Sequence, residues 1–190
     1  MEQLEFHVKV NQGVESGEQG RRNQEEKWTT PRTGYVKINW DATFDQKKKL
    51  MGVGVVVRDY TWGVLASQCS TRPYINDSTV AEALAFWTTA NLRHQLGFVA
   101  AILEGDSLEV VQAAGNEGDL WNNYRPVVEE AKGVLNGRHP WEIRHVRRSA
   151  NEAAHTIAKW AVSCNVNQLW LTTTPPCIKD IVMAESLFIE

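Results

Sequence analysis

Three carboxylates stand where a carboxylate is costly. Asp41 closes a segment, YVKINW, that otherwise reads as a central strand, and Glu82 lies inside an alanine-rich helical turn. Asp106 sits where a short apolar run gives way to a helix. A buried carboxylate is unfavourable unless it is paired or holds a cation. Each of the three, taken alone, is equally well explained as a buried acid with a partner. Three at the ends of adjoining elements are better explained together, as oxygen ligands for a hard divalent cation such as magnesium or manganese. Other acids ask for less: Glu129 and Glu130 fall on a helix face, and Glu152 fits a capping box with Ser149.

The scaffold around these groups is legible in the periodicity. Val36, Ile38 and Trp40 alternate with Lys37, Asn39 and Asp41, the signature of a strand. GVGVVVR, from Gly52 to Arg58, is a second strand whose glycines allow close backbone approach. Asp59 to Gly63 turns the chain into a third strand, Val64 to Cys69, so the three form an antiparallel meander. Ser78 or Thr79 then caps a helix ending at Gly97, with Val80, Leu84, Trp87 and Ala90 on one stripe. Its alanines and Phe86 make the opposite side apolar, so burial on more than one face is expected. Val99 to Leu103 is a fourth strand, followed by helices at Ser107 to Ala114 and Tyr124 to Asn136. Trp141 to Val146 is the fifth strand, and the box at Ser149 to Glu152 opens a last helix to Cys164. This order predicts an α/β fold with a five-stranded mixed sheet flanked by helices. Asp106 falls at the sheet edge where such folds bind ligands.

Composition bounds the rest. The 190 residues, 43% hydrophobic, suit one domain. Residues 1–27 carry few large apolar groups, which predicts a disordered tail or linker ahead of a domain at 28–190, with its core at 35–165 and an extension at 166–190. No run approaches the ~18 apolar residues of a membrane span, and no basic start precedes an apolar stretch, so neither membrane insertion nor secretion is expected. Three widely spaced cysteines, Cys69, Cys164 and Cys177, argue against a disulfide framework and for an intracellular location, nucleus or cytoplasm. The net charge of −3 is not that of a nucleic-acid binder overall, but bases cluster at Lys47–Lys49 and again at Arg138, His139, Arg144, His145, Arg147 and Arg148. Solvated turns account for either cluster on its own. The eight tryptophans show no spacing of a stacking platform and are expected to pack in the core or at its edge.

The stretch VKINWDATFD, followed by GVGVVVRD, NDSTVAEALAF, LEGDSLEVVQA and RHVRRSANEAAHTIAKWA, resembles the ribonuclease H-like domain of plant retroelement-derived, reverse-transcriptase-like proteins. The similarity runs from about Trp28 to the WLTTTPPCIKDIV segment. The resemblance implies a metal-dependent endonuclease that hydrolyses the RNA strand of RNA–DNA hybrids at a two-ion magnesium or manganese site. It places the family's metal ligands at Asp41, Glu82 and Asp106. The fourth ligand position, usually the aspartate of Asn-x-x-Ala-Asp, is occupied here by His155 after Asn151 and Ala154. Nucleic-acid contacts are expected from Ser78, Thr79, Ser107, Arg147 and Arg148.

Several features depart from the family pattern. Imidazole is a poorer magnesium ligand than carboxylate, and a helix histidine hydrogen-bonded at the rim of the site is an equal account of His155. The link between the last strand and last helix is only Arg147 to Ala150, without the longer histidine-bearing loop of many cellular ribonucleases H. Asp77 stands where an amide is expected before Ser78, and Gly115 to Asn123 is too short and acidic for a basic protrusion. Two alternatives to the nuclease therefore remain: a weak or inactive module binding hybrid or structured RNA, and a protein-interaction role with vestigial acids. The chain is expected to be a monomer.

Overall fold

The computed structural model describes residues 26–115, 122–136 and 139–187. The expected tail up to residue 25, Arg138, and residues 116–121 of the expected short acidic loop lie outside them. Strands β1 (Val36–Asp45), β2 (Leu50–Arg58) and β3 (Val64–Pro73) form the antiparallel meander. Helix α1 (Ser78–Leu96) leads to β4 (Ala101–Gly105), which runs parallel to β1. Helices α2 (Leu108–Ala114) and α3 (Arg125–Leu135) precede β5 (Trp141–His145), parallel to β4, and α4 (Glu152–Cys164) comes after it. A sixth strand, β6 (Gln168–Leu171), pairs antiparallel with β3 and precedes α5 (Lys179–Ser186). The sheet order is β5-β4-β1-β2-β3-β6, so the expected five strands become six. The sixth arises within the expected extension because Asn165, at φ 51°, turns the chain back and Asn167 accepts from the Thr71 backbone N–H at 2.7 Å.

Both faces of the sheet are covered, which is why β2 is valine-rich instead of alternating. Val53, Val55 and Val57 join Trp40 and Phe86 in the core under α1, while Val56 packs with Ile157 and Ala161 of α4 on the other side. Helix α4 approaches so closely because Gly52 and Gly54 lie beneath it. A Cβ on Gly54 would sit 2.2 Å from the Ala154 carbonyl oxygen and 2.5 Å from the Ala158 nitrogen. On the opposite face Ala81, Ala85, Phe86 and Thr89 are fully buried, whereas Val80, Leu84 and Trp87 of the expected stripe are only half-buried. Small residues let α1 lie close to the sheet, and the larger stripe turns toward the α3 side, where Trp87 Nε1 donates to Glu130 at 2.9 Å.

Two expected boundaries shift for reasons that matter to the site. Asp41 does not close β1: the strand continues to Asp45 alongside β2, with Asp41 opposite Gly54. What ends there is pairing on the other side, since the β1–β4 register stops at Asn39–Glu104. Beyond that point side chains satisfy the freed edge. The Trp40 carbonyl accepts from Asn151 Nδ2 at 2.7 Å, and the Ala42 N–H donates to Glu82 Oε1 at 3.3 Å. The capping box at Ser149 does not form either. Asn151 is the residue before α4, its side chain is committed to Trp40, and Ser149 Oγ donates instead to the Glu26 carbonyl at 2.7 Å.

Below the site on the α4 face lies a buried polar network. Lys37 pairs with Glu104 at 2.9 Å, Asn39 donates to Glu104 at 3.2 Å, and Trp28 Nε1 donates to Asn39 at 2.8 Å. Arg58, fully buried, stacks 3.6 Å above the Trp28 ring and pairs with Glu185 of α5. Burial lowers the Lys37 pKa, and Glu104 opposes that shift. The network gives buried charges the partners they require, and it ties the segment before β1 and the helix α5 to the sheet.

Candidate metal and nucleic-acid site

The end of β1–β4 pairing opens a crevice between two inner strands, at the C-terminal end of β4, and four elements deliver acids or bases into it. Asp41 projects from β1 on the α4 face. Glu82 comes from the second turn of α1. Asp106 directly succeeds Gly105, the last residue of β4, and His155 comes from the first turns of α4. Gly105 has a specific role: a Cβ there would lie 2.3 Å from the Trp40 indole, so the glycine lets the ring pack beneath the turn that presents Asp106.

One oxygen each from Asp41, Glu82 and Asp106 lie within 4.8 Å of one another. Asp41 is fully buried, and Asp106 and Glu82 are half-buried. Asp41 Oδ1 and Glu82 Oε2 are buried without a hydrogen-bond partner. Burial raises the Glu82 pKa well above the usual carboxylate range, and the charges of Asp41 and Asp106 raise it further. Asp41 is raised in the same way, with the His155 hydrogen bond working against burial. Three acids this close carry more negative charge than the one nearby guanidinium, that of Arg148, offsets. Oxygen donors at this spacing fit a hard divalent ion better than a soft one.

His155 is not one of that carboxylate group. Its Nδ1 lies 2.8 Å from Asp41 Oδ2 at the rim. Arg148 Nη2 lies against the same ring, 2.6 Å from Nδ1 and 3.1 Å from Nε2, so the nitrogen that meets Asp41 also faces the guanidinium. The same guanidinium reaches the acids: Nη1 is 3.0 Å from Asp106 Oδ2 and 3.5 Å from Asp41 Oδ1.

The expected nucleic-acid residues lie near the acids along the chain: Ser78 and Thr79 open α1, Ser107 follows Asp106, and Arg147 and Arg148 precede α4. Ser78 is exposed and Thr79 half-buried in the first turn of α1, but the cap is Asp77, which accepts from the Val80 N–H at 3.0 Å and from Asn123 Nδ2 at 2.8 Å. A carboxylate satisfies first-turn N–H groups better than a hydroxyl beside the helix dipole. Ser107 is half-buried beside Asp106, and Arg147 is exposed. Lys48 of the first basic cluster is engaged elsewhere: its ammonium donates to the Val162 and Ser163 carbonyls at 2.9 and 2.8 Å, at the C-terminal end of α4. Sequence reasoning missed the entry of Arg148 into the acidic cluster and the contacts of Glu26 with the loop that carries it. Nothing in residue type or spacing marks either one. Among the described residues no helix is long and apolar enough to cross a membrane.

Comparison with known proteins agrees with this geometry. The family model described as reverse transcriptase-like matches residues 39–161. The sequence gives no significant match among curated proteins. Among solved structures, RNase H1 from the halophilic archaeon Halobacterium salinarum NRC-1 is similar at 26% identity and a TM-score of 0.62, over 68% of this chain and 98% of that one. The N-terminal RNase H domain of a Mycobacterium tuberculosis protein is similar at 20% identity and a TM-score of 0.61, over 68% of this chain and 94% of that one. A foamy viral protease-reverse transcriptase in complex with RNA/DNA hybrid matches at 14% identity and a TM-score of 0.53, over 81% of this chain and 23% of that one.

Proposed function

Since this chain belongs to the reverse transcriptase-like family, we propose that it is a metal-dependent endonuclease hydrolysing the RNA strand of RNA–DNA hybrids. The observation that carries the reading is the group of Asp41, Glu82 and Asp106, with two buried carboxylate oxygens that have no hydrogen-bond partner. Asp41 would be the ligand shared by two magnesium or manganese ions, Asp106 with His155 would help hold one of them, and Glu82 would help hold the other. Divalent ions bound there supply charge stabilisation at the scissile phosphate and an activated water. The chain's own groups do the rest. Glu82 orients the ribose 2′-hydroxyl, Ser78, Thr79 and Ser107 line the minor groove, and Arg147 and Arg148 meet phosphate. Such contacts read backbone shape and the 2′-hydroxyl, not base edges.

The test is cleavage of a labelled hybrid with magnesium and, separately, with manganese. Weak cleavage that prefers manganese is expected, because a neutral imidazole leaves the cluster one negative charge short. Asp41→Asn should abolish cleavage while the fold persists; unchanged cleavage would remove Asp41 from the site and the mechanism with it. His155→Asp should raise the magnesium-dependent rate. A second reading, a binding module with little turnover, is favoured by His155 and by the Arg148 guanidinium within the cluster. It takes over if His155→Asp remains folded but inactive with both metals while the chain retains hybrid in filter binding.

A further inference from the structure

Arg148 brings a fixed positive charge into the carboxylate cluster, yet its side chain is 55% exposed. It therefore lies across the mouth of the crevice and does not fill it. A long side chain so exposed gains little from ion pairs alone, because water screens them and ordering the chain costs entropy. Its position depends on its neighbours, and both are held by one residue. Glu26 Oε2 accepts from the Arg147 backbone N–H at 3.0 Å, and the Glu26 carbonyl accepts from Ser149 Oγ at 2.7 Å. Glu26 is fixed in turn by the anchored residues that come after it in the chain. Trp28 is buried, bonded to Asn39, stacked against Arg58 and in edge contact with Trp62 at 5.0 Å. The Thr29 carbonyl accepts from Lys37 Nζ at 2.6 Å. The segment from Glu26 to β1 is thus a strap anchored on the sheet, with Glu26 latched to the loop on both sides of Arg148.

We propose that this strap is a built-in control on the site: through Glu26 and Ser149 it holds Arg148 among Asp41, Asp106 and His155 as a resident cation that a divalent ion must displace. Glu26 is a positioning residue, and the quantity it sets is the metal affinity of the acidic cluster. The displaced guanidinium is then free to swing toward substrate phosphate, so substrate and metal favour the same open position of Arg148. Whatever draws the strap off the loop raises metal affinity without touching a ligand. The inference rests on the reading that the carboxylates take a divalent ion.

The experiment is calorimetric titration of the full chain with manganese chloride alone, with circular dichroism to establish folding. A unit charge about 4 Å away acts with about 1 kcal/mol in water and more at a partly shielded site, so removing it should tighten binding roughly tenfold. Arg148→Gln is expected to show that gain, while Arg148→Lys, which keeps the charge, should stay near the parent. Glu26→Ala combined with Ser149→Ala should tighten binding by a smaller factor, and that gain should vanish when Arg148 is already glutamine. A merely structural latch would instead shift both backgrounds equally, which would overturn the proposal. Manganese binding that is lost in Asp41→Asn but unchanged or weakened in Arg148→Gln would also overturn it, and would leave the metal site standing. No manganese binding by the parent or by Arg148→Gln would overturn the metal reading and this proposal together.

Discussion

Replacing Gly54 by alanine tests whether the site depends on how closely α4 lies on the sheet. The added Cβ would meet the Ala154 carbonyl oxygen at 2.2 Å, where ordinary contact begins at 3.4 Å, a shortfall of about 1.2 Å. The obstacles are main-chain atoms of α4, so no side-chain rotation relieves them, and the helix itself must retreat. Overpacking of a filled core costs roughly 1–3 kcal/mol, and a main-chain collision belongs at the upper end of that range. For a chain of this length, about 3 kcal/mol lowers Tm by roughly 6–12 °C. His155 is the residue after Ala154, so a retreat of about 1.2 Å along the contact would stretch its 2.8 Å bond to Asp41 beyond hydrogen-bond range. Thermal unfolding by circular dichroism gives the first number, and manganese titration shows whether the site loosens with it. Gly133→Ala in α3 is the control. That glycine is exposed, with nothing within 4 Å of an added Cβ, so alanine should stabilise by about 0.5–1 kcal/mol. A Gly54→Ala protein melting within a degree or two of the parent would refute the argument that these strand glycines exist to admit α4.

Glu82→Gln should stabilise the metal-free protein by about 1–3 kcal/mol at neutral pH, because it removes a buried charge with an unpartnered oxygen. The folded pKa of Glu82 is raised, so the folded state binds its proton more tightly than the unfolded chain, and the parent loses stability relative to the variant as pH rises above 4.5. Denaturant melts in chelator between about pH 5 and about pH 8 should show that gap widening, and a constant gap would contradict the burial of Glu82 as a free acid. Lys48→Ala should cost about 0.5–1 kcal/mol by uncapping the end of α4. It should leave the salt dependence of hybrid binding unchanged, and a slope shallower by about one unit would return Lys48 to the phosphate contacts.

The sequence alone determined the parts that depend on local pattern. The strand periods, the change to a helical period after Pro73, Gly97 as a helix stop and the valine run of β2 are written in neighbouring residues, and they lead to an α/β fold with a mixed sheet. The three carboxylates were also legible, because an acid inside an apolar context is conspicuous wherever the chain later carries it. Other features depend on contacts between distant residues. That β1 outlasts its pairing with β4 depends on where two strands 65 residues apart diverge at Asn39 and Glu104. Asn151 left its capping role because the Trp40 carbonyl, 111 residues away in the chain, needed a partner. Lys48 stood in a basic cluster that a solvated turn would explain, and only packing brought the end of α4 beside it. Glu26 and Arg148 lie more than a hundred residues apart and act through one loop. Local composition encodes which groups need burial or partners, but only the packed chain decides which partners come within reach.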